Sequence, residues 1–413
     1  MTPDVITDNL TNIVSWYGTF TYSYADRYIV NFNIRTDGSN KFGQDKSVRF
    51  LPVWSASAKW NLHNEVFMKP VEWMDEFAIR MSYGIQGNVH PDQTPNLIVQ
   101  MGSMDNISKE YESTLYKLPN NDLKWEKTKS YNLGIDFSFF QSWLSGTLEI
   151  YKKVGEDQVI QKTLAPSTGA NYVAINDGDV NNSGWELSVN VNPIHGKDWN
   201  WGISFNTAKN YNKVKNAGEE LSVTWSDYVN GTLVRNGRSI NSFYAYRFKG
   251  LNDEGLPTFY GESEKDEDGV AIITTQEEAF DAAFVYAGRR EPTLSGGFST
   301  NVRFKRLTMN ANFSFALGNK IRLNNLYYES GQALPFPQQN MSSEFVDRWR
   351  EPGDDTVIPA LSDDAMTFGP YDRKYPIANN RWDMYNKSDL RVVSGDFLRC
   401  RSLSLRYDIA PEW

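Results

Sequence analysis

The chain has few of the residues that lock a fold covalently or through a metal. Its 413 residues include one cysteine, Cys400, so an internal disulfide is excluded. The histidines, His63, His90 and His195, are widely separated and lack the spacing of metal ligands. No apolar run approaches the ~18 residues that a membrane-spanning helix needs, and mean hydropathy is -0.55, so helical membrane proteins are excluded. That low value is neutral between a soluble protein and a barrel, because only alternate residues of a barrel strand face lipid. Basic charge is also in deficit: net charge is -9 and the pI about 5.1, which argues against a nucleic-acid partner. There is no nucleophile motif and no glycine-rich phosphate loop, so nothing points to an enzyme or to a bound cofactor. The start, Met1-Thr-Pro-Asp-Val-Ile, has neither the basic nor the apolar region of a secretory leader; either the chain is cytoplasmic or its true N-terminus lies elsewhere.

What is present is alternation. With 40% hydrophobic and 14% aromatic residues the chain has enough apolar material to fold. In Tyr131-Asn-Leu-Gly-Ile-Asp-Phe-Ser-Phe, one side carries Tyr131, Leu133, Ile135, Phe137 and Phe139, and the other Asn132, Gly134, Asp136 and Ser138. The same period predicts strands at Trp16–Tyr24, Tyr28–Ile34, Trp54–Trp60, Phe77–Tyr83, Leu144–Ile150, Trp185–Val191, Trp201–Thr207, Phe298–Phe304, Leu307–Phe315 and Leu403–Tyr407. A weaker strand is expected at Ser242–Phe248 and a short helix at Gln276–Ala283. Arg35, Lys59, Arg80, Asp136, Glu149, Glu186, Arg303 and Arg406 all fall on the polar face, as a sheet with one apolar side requires.

Connection lengths separate a barrel from a soluble sandwich. Ala25-Asp26, Gln141-Ser142, Pro193–Asp198 and Lys305-Arg306 are tight turns. Between the hairpins they close lie long polar segments: Asp37–Phe50, Gln86–Ser130, Lys152–Gly184, Lys209–Gly296 and Gly318–Ser394. Short turns at one end and long loops at the other are the habit of outer-membrane barrels, whereas such loops are uncommon in compact soluble domains. Trp and Tyr at strand ends, among them Trp16, Tyr24, Tyr28, Trp60, Tyr131, Trp143, Trp185 and Trp199, suit an interfacial girdle. The expectation is an all-β fold, a transmembrane antiparallel β-barrel with long extracellular loops. About eleven strands is an odd number, and Pro411 interrupts the last strand before Trp413, so the barrel is expected to be partial.

Several segments then resemble one family in its own order. They are Tyr24-Ala-Asp-Arg-Tyr-Ile-Val-Asn-Phe-Asn-Ile-Arg-Thr-Asp-Gly-Ser-Asn-Lys-Phe-Gly with Phe50-Leu-Pro-Val-Trp-Ser, then Ile79-Arg-Met-Ser-Tyr-Gly-Ile-Gln-Gly-Asn, Leu123-Lys-Trp-Glu-Lys-Thr and Asn181-Asn-Ser-Gly-Trp-Glu. Ser242-Phe-Tyr-Ala-Tyr-Arg-Phe-Lys-Gly-Leu, Gly296-Gly-Phe-Ser-Thr, Arg348-Trp-Arg-Glu-Pro-Gly-Asp and Ser394-Gly-Asp-Phe-Leu-Arg-Cys-Arg-Ser-Leu-Ser-Leu follow. Together they resemble the SusC/RagA-type TonB-linked (TonB-dependent) outer-membrane transporters. The resemblance implies that residues 1–413 are about half of a 22-stranded barrel domain, with the plug domain and signal peptide absent. It also implies the outer membrane of a Gram-negative, Bacteroidetes-like cell. The implied activity is import of oligomeric nutrients, glycan fragments or in some members peptides. A SusD-like surface lipoprotein would act as lid and the TonB complex would pull through the missing N-terminal part.

In that setting the loop aromatics Trp225, Tyr228, Trp349, Tyr371, Trp382 and Tyr385 are candidate substrate-stacking residues, since ring faces pack on the apolar faces of sugars. The acidic stretch Glu262–Gly269 lacks the spaced ligands of a calcium loop, and Asp354 and Asp355 are expected to bond their local backbone, so no metal is assigned. Two rival readings stay open: a soluble or surface-attached β-rich carbohydrate-binding protein with the same aromatics in a groove, and a passive porin-like channel.

Overall fold

The computed structural model describes residues 12–39, 50–88, 96–170, 172–218, 223–261, 276–326, 340–361 and 381–409. In chain order the strands are β1 (Ile13–Tyr24), β2 (Tyr28–Ser39), β3 (Phe50–Asn61), β4 (Met74–Asn88), β5 (Ile98–Met104), β6 (Tyr111–Lys117), β7 (Glu126–Phe139), β8 (Leu144–Thr163), β9 (Tyr172–His195) and β10 (Trp199–Asn216). There follow β11 (Ser242–Tyr246), β12 (Phe248–Leu251), β13 (Pro257–Phe259), β14 (Phe284–Arg289), β15 (Leu294–Phe304), β16 (Leu307–Leu317), β17 (Lys320–Arg322), β18 (Val392–Ser394) and β19 (Phe397–Tyr407). Among the described residues three short α-helices, α1 (Trp225–Asn230), α2 (Gln276–Ala283) and α3 (Arg381–Asn386), lie in the longest connections.

One 11-stranded antiparallel sheet dominates, in the order β1-β2-β3-β4-β7-β8-β9-β10-β15-β16-β19. Each wall strand pairs with its predecessor in sequence, so the chain goes up and down along a barrel wall. Register sorts the two faces. Ile79, Ile135, Leu148 and Leu187 stand side by side on four adjacent strands, while Arg80, Asp136 and Glu149 occupy the opposite face. The apolar face is bare on interior strands: the neighbours Met81, Leu133 and Ile150 are 58%, 45% and 53% exposed. Contiguous apolar surface on this scale belongs in lipid, not in water. On β7 the apolar run from Tyr131 to Phe139 measures roughly 27 Å at ~3.4 Å per residue, close to the ~25 Å band of outer-membrane barrels. Outward-facing charge resumes just beyond it, where Lys129 pairs with Glu156 at 2.7 Å and Lys209 reaches the Tyr211 ring at 5.0 Å.

All eleven expected wall strands are present, each longer than its alternation. At one end the connections are tight, with Ala25 and Asp26 both at positive φ, a backbone that matches the right-handed twist of the flanking strands. The largest departure is Lys152–Gly184, expected as a loop and found mostly as strand: β8 and β9 pair as far as Thr163 and Tyr172. Above the membrane neither face meets lipid, so the extension has no apolar alternation to reveal it. The last strand likewise starts at Phe397, not at Leu403. A bulge inserts Arg401, which donates to Ser314 Oγ at 2.7 Å and lets Cys400 and Leu403 share the outward face; this extra residue breaks the period of 2. Ser242–Phe248 is strand and bend, and Gln276–Ala283 is helix, as expected.

Cross-strand rings cover glycines on neighbouring strands. Tyr151 lies over Gly184 and bonds Asn210 Oδ1 at 3.1 Å. A Cβ at Gly184 would run into the Lys209 carbonyl and sit 2.8 Å from the Tyr151 hydroxyl. Gly184→Val is therefore expected to destabilise the β8-β9-β10 hairpins by about 1–3 kcal/mol through overpacking, read as a lower temperature of heat-induced mobility shift of the detergent-solubilised barrel.

Candidate functional site

Two regions of the molecule offer polar groups to a ligand, and both lie on the inner face or at the long-loop end. On the inner face, Arg80 of β4 donates to Asp136 at 2.8 Å and to Glu149 at 2.7 Å; Lys59 of β3 lies 3.7 Å from Asp136, and Asn132 bonds Glu149 at 3.3 Å. Gly134 lies beneath the Arg80 guanidinium, where a Cβ would approach it to 3.1 Å. Glu186 of β9 faces Glu149 across the ladder. Uncharged ladders continue the polar wall on either side: Thr21–Asn31–Ser57, and Asn301 to Asn310 to Ser404. Nearer the loops, Tyr17, Thr19, Asn33, Arg35, Ser55 and Gln86 line a depression of about 710 Å³ on the inner face of β1–β4. Apart from the charged Arg35, its residues carried no chemical signature in the sequence; they become a site only because four strands set them side by side.

At the long-loop end, the connections from β10 to β15 and from β16 to β19 fold together as a cap. Its core joins Tyr228, Leu233, Tyr244, Tyr246, Phe259, Phe280 and Phe284 of the first to Leu326, Phe345, Trp382, Met384 and Tyr385 of the second. Tyr246 makes a parallel bridge with Ser388, and Arg322 donates to the carbonyls of Val229 at 2.5 Å and Tyr244 at 2.8 Å. Arg391, 5% exposed at its side chain, holds Glu344 at 2.6 Å and the Asn324 carbonyl at 2.6 Å. The Arg391 guanidinium keeps the Glu344 carboxyl below its ordinary value. Burial pushes the Tyr385 hydroxyl up to about 12, and pushes Tyr246 further.

The candidate stacking residues separate within this cap. Tyr228, Trp382 and Tyr385 are each 2% exposed and pack on one another's neighbours: Tyr228 stacks on Phe284 at 4.3 Å, and Trp382 meets Tyr385 edge-on at 5.9 Å. Their rings are the cap's core and present no open face to a sugar. Trp225 is half-buried beneath Lys387, and Trp349 is half-buried against Gly255. Tyr371 and the acidic stretch 262–269 lie outside the described residues. Asp354 bonds the backbone N–H groups of Arg350 at 2.8 Å and Glu351 at 3.1 Å, which hold its carboxyl below the ordinary range. Among the described residues no group of three His, Cys, Asp or Glu side chains is placed to hold a metal ion.

Between the cap and the tall β8-β9-β10 hairpins lies a cleft of about 460 Å³, lined by Gln158, Ile160, Val214, Asn216, Asp227 and Leu233 among others. Of the segment Leu123-Lys-Trp-Glu, Glu126 lines this cleft and the rest anchors it. Leu123 is buried, Lys124 pairs with Asp157 at 2.8 Å, and Glu126 accepts from Val159 N at 3.0 Å and Asn88 at 2.8 Å. Asn176 clamps the backbone of Lys124 from both sides. Among the described residues of the cleft and the inner face, no nucleophile is paired with a base; what these surfaces offer is hydrogen bonds and charge.

Residues 2–264 match the family model described as TonB dependent receptor-like, beta-barrel. The chain belongs to that family. It is 28% identical over 420 residues to TonB-dependent receptor P3 of Formosa agariphila, a match covering 98% of the chain and 39% of that protein. TonB-dependent receptor SusC of Bacteroides thetaiotaomicron is 26% identical over 424 residues, covering 97% and 38%. Among solved structures, the RagAB peptide transporter superposes with a TM-score of 0.75 at 23% identity, over 96% of this chain and 41% of that one. The chain thus spans about two fifths of the length of its curated relatives. Both curated relatives carry the name TonB-dependent receptor.

Trp382→Ala is expected to cost about 3–5 kcal/mol of cap stability, the usual penalty for emptying a buried tryptophan site. Limited proteolysis should then cut the cap with or without substrate while the wall strands stay protected. For Glu344 the folded value is depressed, so its contribution is present above the unfolded value, near 4.5, and is lost as pH falls through the lower folded one. Hydrogen exchange over residues 340–361 and 381–391 should accelerate below about pH 4.5, and Glu344→Gln should remove that acid step.

Proposed function

We propose that this chain is the later part of the barrel wall of a SusC/RagA-type TonB-dependent transporter in the outer membrane, importing oligomers too large for passive diffusion. The observation that carries this reading is the pairing of a lipid-facing wall with a folded cap at the loop end. A passive pore needs an open polar channel; it has no use for a cap with its own aromatic core. Residues 1–413 then form a partial barrel domain, and the plug that blocks the lumen and meets TonB belongs to the remainder of the protein.

The substrate is an oligosaccharide or a peptide, bound by hydrogen bonds and charge on the inner face and by the half-buried Trp225 and Trp349, with Tyr371 as a further candidate. The structural neighbour named for peptide transport supports the peptide class, and the aromatic faces of Trp225 and Trp349 suit the apolar faces of sugars. A SusD-like surface lipoprotein would close over the cap end, and TonB would supply the work by pulling on the plug. No cofactor is required, because no bond is made or broken.

Deleting TonB in the native host is expected to abolish uptake of the cognate oligomer while its surface binding persists. Uptake that continues unchanged would mean a passive channel. The full-length protein should stay with outer membranes in high salt; release by salt alone would favour a surface-attached soluble protein.

A further inference from the structure

The connection from β3 to β4, residues 62–73, is the longest at the tight-turn end of the described wall, and it folds onto the outward face of the barrel. Glu65, 6% exposed, accepts from Tyr28 Oη at 2.5 Å, from Trp60 Nε1 at 3.0 Å and from Arg27 at 3.3 Å. Tyr28 and Trp60 face each other in register on the same side as Ile34 and Trp54, the lipid side. At the other end of the connection, Trp73 packs on Phe139 at 5.3 Å and on Phe140 at 5.8 Å, again on the outward side. Both ends of the connection are thus pinned to the interfacial aromatics. Between them Val66 and Phe67 are 65% and 64% exposed, and Lys69 follows, also exposed.

An apolar pair held outward beside an aromatic girdle is placed like the apolar face of an interfacial helix, which sinks into the boundary between head groups and acyl chains. Water is the poor alternative: two adjacent large side chains would be left bare beside Met68 and Val71. We propose that residues 66–69 form a foot resting in the inner, phospholipid leaflet of the outer membrane, with Val66 and Phe67 at the acyl boundary and Lys69 at the depth of the lipid phosphates. Glu65 is the positioning residue: its bonds to Tyr28 and Trp60 fix the angle at which the foot leaves the wall. The proposal rests on the membrane-barrel reading above.

The test uses the full-length protein in phospholipid vesicles containing a phosphatidylethanolamine with a diazirine near its head group. Cross-linked peptides are mapped by mass spectrometry. Adducts are expected at residues 66–68 as well as at the girdle residues Trp73, Trp199 and Phe304. The Val66→Asp/Phe67→Asp double variant should lose the adducts at the foot and keep those at Trp199 and Phe304. Girdle adducts with none at residues 66–68 in the unaltered protein would overturn the foot and leave the barrel standing. Absence of adducts at all these positions would instead overturn the membrane reading itself. Glu65→Gln should retain labelling of the girdle but shift it at the foot; unchanged labelling there would remove Glu65 from the positioning role.

Discussion

A strand that crosses a bilayer has no water to satisfy its backbone, so every N–H and C=O must find a neighbouring strand. That single demand accounts for most of the molecule. It forces consecutive strands into one ladder, and the ladder fixes the period of 2 that sends alternate side chains to lipid and to the interior. The same demand explains why the bulge at Arg401 sits where a polar neighbour, Ser314, can receive the extra residue on the inner face. It also explains the glycine and ring pairs, Gly184 with Tyr151 and Gly146 with Phe137, where a side chain on one strand fills the space its partner leaves.

Beyond the membrane the demand relaxes and ordinary burial takes over. The cap has an aromatic core, helix caps and an ion pair whose arginine is buried, the inventory of a small soluble domain. Arg391 is held by Glu344 and by a backbone carbonyl, and α1 begins with a reciprocal cap between Thr224 and Asp227. One chain therefore follows two sets of rules, divided by height along the barrel axis.

This division decides what was legible in the sequence. Every wall strand showed in the alternation, because lipid on one face writes a period of 2 into the residues. The tops of β8 and β9 did not, because both of their faces meet water or protein and the alternation stops near Ile150. The aromatics of the long loops were visible as aromatics but ambiguous in role. Tyr228, Trp382 and Tyr385 have the composition of a binding surface and the placement of a core, and only the meeting of residues more than a hundred positions apart, drawn from two connections, tells them apart. The motifs shared with the family, such as Leu123-Lys-Trp-Glu and Asn181-Asn-Ser-Gly-Trp-Glu, proved to be joints of the scaffold: buried anchors, clamps on backbone, glycines under rings. The inner-face depression was the least legible, since serine, threonine and asparagine at alternate positions look the same in any wet sheet.

The cap's core is drawn from both sides of the β15–β16 hairpin, and that arrangement orders events in time. Tyr246 and Phe284 are made early, but the partners that bury them, Trp382 and Tyr385, are synthesised only after two more wall strands. Until those strands are in register the two connections stay apart, and the closure entropy of so long a loop opposes their meeting. A completed cap is thus a record that the wall beneath it has been assembled in the right order, and a slipped strand would leave the nine buried aromatic side chains described in the two connections without a common interior.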